Sequence, residues 1–372
     1  MDPNYKMNCQ KAYNRIMIKK IKLINFINLI LQLGALWGGN TMTELRYNPL
    51  LDDWTMVASH RQNRPNMPKD GCPFCPGSGK VPDHYDVLIY DNDFPALTPD
   101  PPEVDPVGSN LYQTKKAYGK CEVVLYSSDH SVTLPQLSID HLEKLVDLWT
   151  ERFVALSQDP KHEYVMIFEN RGQECGVTMP HPHGQIYAYS WVPLKIRTEL
   201  ENCQAYYNSH GSCLICDMNQ AELDFQKRVI YENHHFIAYI PFFTDYPYGL
   251  FIVSKNHKTA LNDFTQEEKR SLAEMLKYMT GAMDTLFDRL FPYMMVIHQR
   301  PVHGDGVEDF YHFHIEFYTP LRAVGKIKYY ASSEMGAWAS LNPQAVEDTS
   351  EQLRKAFQDY LKQEGGSNDC QD

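Results

Sequence analysis

Residues 178–190, TMPHPHGQIYAYS, and residues 311–320, YHFHIEFYTP, each place two histidines one residue apart beside an alternating apolar run. Alternation of period two is the mark of a half-buried strand, on which residues i and i+2 face the same way about 6.6 Å apart. His181 and His183 therefore share a face in the first stretch, as do His312 and His314 in the second. The offset between the two pairs is the same, 312 − 181 = 314 − 183 = 131.

Other features repeat in the same order. Cys72 and Cys75 recur as Cys213 and Cys216 (213 − 72 = 216 − 75 = 141), and His130 recurs as His257 (257 − 130 = 127). Residues 120–130, KCEVVLYSSDH, and 248–257, YGLFIVSKNH, read as strands that end near a histidine. Each is followed by apolar residues at helical spacing, over 138–157 and 265–287. The second helix opens with a capping box, Thr265 with Glu268. Residues 163–170, EYVMIFEN, and 293–300, YMMVIHQR, supply a further strand to each half. Ordered self-similarity with small drifts at loops predicts an α+β fold of two similar halves arising by internal duplication. Each half is expected to be an antiparallel sheet packed with helices.

Composition narrows the function classes. The net charge of −12 argues against general nucleic-acid binding, whose affinity rests on Lys and Arg meeting phosphates. Nine cysteines, an odd number with two C-x-x-C pairs, point to metal-binding thiolates in a reducing compartment rather than a disulfide framework. Residues 1–41 are basic and then apolar. The segment thereby resembles a signal peptide or short anchor, but Lys22, Asn25, Asn28 and Gln32 interrupt the apolar run, so it reads as an N-terminal extension with the working protein starting near Met42. The expected division is 1–41 for the extension, 42–195 for the N-terminal half and 196–372 for the C-terminal half.

Structural zinc takes four Cys or His ligands and keeps no open position. Cys72, Cys75, His130 and His181 make one such set, with Cys213, Cys216, His257 and His312 as its repeat. With His181 on the metal, His183 projects beside it, and a neutral imidazole can attack an activated phosphorus to form a covalent intermediate. Gln185, one step further along the same face, can donate to phosphoryl oxygens as charge develops there.

The run HPHGQ, preceded by FENRG at 168–172, resembles the galactose-1-phosphate uridylyltransferases of the histidine-triad superfamily. The likeness continues through RYNPLLDDWTMVASHRQNRP, CPFC, DNDFPAL, SSDHSVTLPQLS and FYTPL, spanning residues 46–338. It implies two histidine-triad-like halves and a ping-pong exchange of UMP between UDP-glucose and galactose 1-phosphate in galactose metabolism, through a uridylylated His183. It further implies that Asn92, Asp93 and Phe94 cradle uridine and ribose, and that Asn170, Gly176, Thr178 and Gln185 surround the phosphates. Arg61 and Arg64 fit an R-x-x-R-P element that meets phosphate oxygens. Lys328 and Glu334 resemble residues that reach the hexose phosphate from the partner subunit of a homodimer. A cytoplasmic enzyme without membrane or nucleic-acid partners is expected.

The chain departs from the family around Lys328 and Glu334, where KIKYYASSEMG is unfamiliar, in carrying the second C-x-x-C that many members lack, and at the second metal. Members with a second metal, often iron, hold it on one Glu and three His. Glu199, His298 and His314 match that set, but Glu316 stands at the last histidine. Zinc at the second C-x-x-C set is therefore the expected second metal, with iron at Glu199, His298 and His314 as the alternative. The nearest alternative activity is a nucleotide-sugar phosphorylase or adenylyltransferase of the same superfamily. From another class, the Cys/His sets fit a zinc-stabilised binding module without catalysis; the acidic charge and the complete HPHGQ context count against it.

Overall fold

The computed structural model describes residues 43–63, 71–304 and 306–366. The extension expected over 1–41, and Arg64, lie outside the described residues.

A nine-stranded antiparallel sheet organises the molecule. The N-terminal half contributes β3 (Leu88–Asp91), β5 (Gly119–Leu125), β6 (Tyr164–Arg171) and β7 (His183–Tyr189). The C-terminal half contributes β8 (Val229–Glu232), β9 (Phe236–Tyr239), β10 (Phe251–Ser254), β11 (Tyr293–His298) and β12 (His314–Tyr318). The order β3-β5-β7-β6-β11-β12-β10-β9-β8 is a mirrored arrangement, with β5, β6 and β7 answered by β10, β11 and β12. The predicted repeat is thus present as two similar halves, and their sheets join edge to edge where β6 pairs with β11, from Tyr293 opposite Arg171 to Ile297 opposite Ile167. Joining covers one strand edge of each half, which otherwise exposes unpaired backbone groups.

Alternation decides what each face of the sheet carries. Ile186 and Ala188 of β7, with Phe313, Ile315 and Phe317 of β12 and the residue before it, enter one large apolar core. Helices α1 (Ile139–Leu156) and α4 (Gln266–Leu286) supply Trp149, Phe153, Leu276 and Met279 to that same core. His183, Gln185 and Tyr187, and likewise His314, Glu316 and Tyr318, point to the opposite face. The capping box read at Thr265 is formed, and the first helix start is capped by Ser138, whose Oγ accepts from His141 N at 3.1 Å. Thr265 N donates to Glu268 Oε2 at 2.8 Å, and Glu268 N to Thr265 Oγ1 at 3.3 Å.

Elements outside the repeat complete the fold. Strands β1 (Thr43–Asn48), β2 (Asp53–Ala58) and β4 (Thr114–Lys116) form a separate three-stranded sheet. Helices α2 (Leu194–His210) and α3 (Leu214–Phe225) bridge the halves. After the two-stranded β13 (Leu321–Ala323) and β14 (Lys326–Ile327) and the short α5 (Ser332–Ala337), α6 (Val346–Gly366) lies along α4. Gly281 makes that approach possible, because a Cβ there would stand 2.4 Å from the Tyr360 ring.

Candidate functional site

Cys72, Cys75, His130 and His181 converge, with one ligand atom from each lying within 4.8 Å of the others. Tetrahedral zinc at about 2.3 Å from sulfur and 2.0–2.1 Å from nitrogen sets S···N edges near 3.6 Å and N···N edges near 3.3 Å, each roughly. Cys75 Sγ lies 3.4 Å from His130 Nδ1 and 3.7 Å from His181 Nδ1, and the two Nδ1 atoms are 3.3 Å apart. The donor set fits zinc in both chemistry and spacing. His181 Nε2 lies 2.8 Å from the Ser127 carbonyl and 3.0 Å from Tyr85 Oη, outer contacts that fix which nitrogen faces the thiolates. Burial, reinforced by His130 and His183, lowers the His181 pKa to about 4, so its ring is neutral at physiological pH.

The same loop shapes the next site. Tyr85 donates to the Phe74 carbonyl at 2.7 Å, and the Phe74 ring packs 5.9 Å from His181 and 5.8 Å from His183. His183 Nδ1 lies 2.7 Å from the His181 carbonyl oxygen. A carbonyl only accepts, so this contact assigns the proton to Nδ1 and the lone pair to Nε2. Gly184 lets the strand pass Tyr126, since a Cβ would meet Tyr126 Oη at 2.3 Å.

His183 and Gln185 line a cavity of about 790 Å³ together with Asn92, Asp93, Phe94 and Thr178. Asn92 Oδ1 accepts from Phe94 N at 2.9 Å, holding this turn. Asp93 meets Lys80 Nζ at 3.0 Å and Tyr90 Oη at 2.9 Å. Asn170 lines a second cavity, of about 400 Å³, which His183 also borders. Gly176 has φ +74°, a left-handed turn that favours glycine. Arg61 donates to the Phe94 carbonyl at 2.8 Å and to Tyr187 Oη at 3.4 Å, and Tyr187 donates to Gln185 Oε1 at 3.4 Å. Lys328 and Glu334 come together at 3.9 Å but line neither cavity bordered by His183.

The second Cys/His set repeats the first. Cys216 Sγ lies 3.4 Å from His257 Nδ1 and 3.3 Å from His312 Nδ1, and Cys213 Sγ lies 3.8 Å from His312 Nδ1. The outer contacts are repeated too, from His312 Nε2 to the Ser254 carbonyl at 2.9 Å and from His257 Nε2 to that of Glu308 at 2.6 Å. This donor set also fits zinc.

Glu199, His298, His314 and Glu316 form a third cluster, so both sets that the sequence poses as alternatives assemble. His314 Nδ1 lies 2.9 Å from the His312 carbonyl, repeating the His183 arrangement with Glu316 in the register of Gln185. Glu199 Oε2 meets His298 Nδ1 at 2.8 Å, while Glu316 lies 3.7 Å from His298 Nε2 and 3.4 Å from His314 Nε2. Burial opposes charge on Glu316, yet His298, His314 and Lys195 outweigh it and hold its pKa well below the carboxylate range.

Sequence reasoning passed over Phe74, Lys80, Tyr85 and Lys195, whose roles depend on contacts distant in the chain. Tyr187 was within reach of it, two residues beyond Gln185 on the same strand face.

Models of the galactose-1-phosphate uridyl transferase N-terminal and C-terminal domains match residues 37–193 and 199–336. The galactose-1-phosphate uridylyltransferase of Thermotoga maritima is 42% identical over 315 residues, covering 84% of this chain and 98% of that protein. Its Haemophilus influenzae counterpart is 32% identical over 337 residues, covering 86% and 95%. A solved uridylyltransferase structure superposes with a TM-score of 0.79 at 33% identity, covering 86% of this chain and 99% of the other. An Arabidopsis thaliana ADP-glucose phosphorylase shares the fold, with a TM-score of 0.66 at 24% identity and coverage of 84% and 98%.

Proposed function

The chain belongs to the galactose-1-phosphate uridylyltransferase family, and from that premise we propose that it exchanges UMP between UDP-glucose and galactose 1-phosphate through a covalent uridylyl-His183, as a cytoplasmic enzyme of galactose metabolism. The observation that carries this reading is the contact of His183 Nδ1 with the His181 carbonyl, which leaves the lone pair on Nε2, at a cavity shared with Gln185 and the Asn92–Asp93–Phe94 turn. Nε2 attacks the uridylyl phosphorus of UDP-glucose. The N–P bond forms as the bond to the bridging oxygen breaks, and glucose 1-phosphate leaves with that electron pair. The positive charge gained by the ring is met by the His181 carbonyl across Nδ1–H. Gln185 donates its amide N–H to the non-bridging oxygens, where charge accumulates. A phosphate oxygen of galactose 1-phosphate then attacks the same phosphorus, forming UDP-galactose and returning the electron pair to Nε2. Asn92, Asp93 and Phe94 hold uridine and ribose; Asn170, Gly176, Thr178, Arg61 and Arg64 act around the phosphates.

Cys72, Cys75, His130 and His181 would hold zinc, with Cys213, Cys216, His257 and His312 holding a second. Both are four-ligand closed sets, so the metal's contribution is structural. In the first set Cys72 and Cys75, holding zinc with His181, would tie the Phe74 loop to the carbonyl that orients the nucleophile. Residues 42–195 carry the nucleophile and 196–372 the hexose-phosphate contacts, delivered as Lys328 and Glu334 to the partner in a homodimer. The same segment exposes Tyr329, Met335 and Trp338, while the Lys328 and Glu334 side chains are 6% and 10% exposed and pair within the chain. Among the described residues no helix is long and apolar enough to cross a membrane.

Mass spectrometry after incubation with UDP-glucose alone tests the reading. A UMP-sized adduct is expected on His183 and is expected to vanish in His183→Ala. An adduct formed only from ADP-glucose would replace the uridylyl reading with an adenylyl one.

A further inference from the structure

We propose that the Lys195 ammonium is the resident cation of the Glu199–His298–His314–Glu316 cluster, and that it closes the cluster to a divalent metal. Lys195 lies in the first turn of α2, four residues before Glu199, so both side chains leave one helix face toward the sheet. Its Nζ is 2.5 Å from Glu316 Oε2, 2.6 Å from Tyr318 Oη and 3.7 Å from Glu199 Oε1. Tyr318 also hydrogen-bonds Glu316 Oε2 and lies 3.4 Å from His298 Nε2. The Lys195 side chain is 55% exposed while that of Glu316 is 7% exposed, so the ammonium caps a buried carboxylate from the solvent side.

Three features set this cluster apart from the two Cys/His sets. First, the carboxylates address opposite edges of one imidazole, Glu199 at His298 Nδ1 and Glu316 at His298 Nε2. One ion cannot sit in front of both nitrogens, so Glu199 serves as an outer partner that orients the ring. Second, a metal bound to Glu316 Oε2 at about 2.0–2.2 Å would stand within about 4.7 Å of Nζ. A dication and an ammonium so placed repel strongly, and one excludes the other. Third, the charges complement each other. A carboxylate at 316, where the resemblance sets an imidazole, adds one negative charge, and Lys195 adds one positive charge beside it.

The balance predicts an exchange of one cation for another. Removing Lys195 leaves the Glu316 carboxylate and the Nε2 atoms of His298 and His314 without it, a donor set that suits Zn²⁺, Fe²⁺ or Mn²⁺. Elemental analysis of the full chain, equilibrated with each of these ions and freed of excess, reads the outcome without reference to turnover. Wild type and His314→Ala are expected to hold equal metal, because the cluster contributes none. Lys195→Met is expected to hold one ion more per chain than wild type. Its melting temperature should fall in chelator and recover with added metal, while Lys195→Arg, which keeps a cation, should match wild type in metal content. Loss of one equivalent from wild type on His314→Ala would overturn the proposal, and that comparison stands even if Lys195→Met fails to fold. A folded Lys195→Met with no extra metal would overturn it equally. Neither result bears on the His183 adduct, so this inference and the uridylyl reading fail separately.

Discussion

Gly184→Ala isolates the demand that the strand carrying the proposed nucleophile, His183, makes on its surroundings. The added Cβ would lie 2.3 Å from Tyr126 Oη and 3.0 Å from both Tyr126 Cζ and the Phe168 carbonyl oxygen. Tyr126 is 1% exposed and packs its ring 6.1 Å from that of Trp149, so it has little room to retreat. Relieving the hydroxyl contact to 3.0 Å requires a movement of about 0.7 Å, and a misplacement of about 1 Å near the chemistry can cost on the order of a hundredfold. Residue 184 directly follows His183, so the rate of uridylylation by UDP-glucose should drop roughly 10- to 100-fold. Overpacking should also cost about 1–3 kcal/mol of stability. Rapid-quench measurement of adduct formation gives the rate, and urea unfolding gives the stability. Tyr126→Phe in the Gly184→Ala background removes the closest atom but leaves the Cζ and carbonyl contacts, so partial recovery of both quantities is expected. A Gly184→Ala enzyme that uridylylates at the wild-type rate, or a double variant no better than the single, would refute this account.

Burial pushes the Glu169 carboxyl from 4.5 up to about 7. The folded protein keeps this proton over a range where the unfolded chain loses it. The contribution to stability is therefore complete below about pH 4.5, declines as pH rises and is lost above about pH 7. Glu169→Gln should flatten that decline by an amount on the order of 3 kcal/mol, read from urea unfolding between pH 5 and 8; parallel curves for the two proteins would contradict it. Tyr187→Phe removes the hydroxyl that meets Gln185 Oε1, and a fall of about 3- to 10-fold in the uridylylation rate is expected. That effect should disappear in a Gln185→Ala background, and an undiminished effect there would locate the hydroxyl's role elsewhere. Cys75→Ser breaks the first closed set, and elemental analysis should show about one zinc fewer per chain than the roughly two expected of wild type.

Local spacing carried the elements and the chemistry. Alternation beside the two histidine pairs identified two strands and assigned His183 and Gln185 to one shared face, with His312 and His314 on another. Apolar periodicity found α1 and α4, and the capping box at Thr265 marked the start of α4. The offsets of the Cys and His residues identified the duplication and both Cys/His sets, because metal ligation by a repeated supersecondary unit leaves the same residues in the same order. The joining of the halves was decided only in three dimensions. Which strand of one half pairs with which strand of the other depends on edges meeting across more than a hundred residues, and β6 carries no residue type that names β11. The same holds for Arg61 reaching the Phe94 carbonyl and for the approach of α6 to Gly281. Lys195 is the clearest case. Its sequence position marks a lysine one turn before a glutamate, and only the packing of α2 over β12 brings its charge onto Glu316, 121 residues away. Periodicity reports which way a side chain points; the charge it meets is set by tertiary contact.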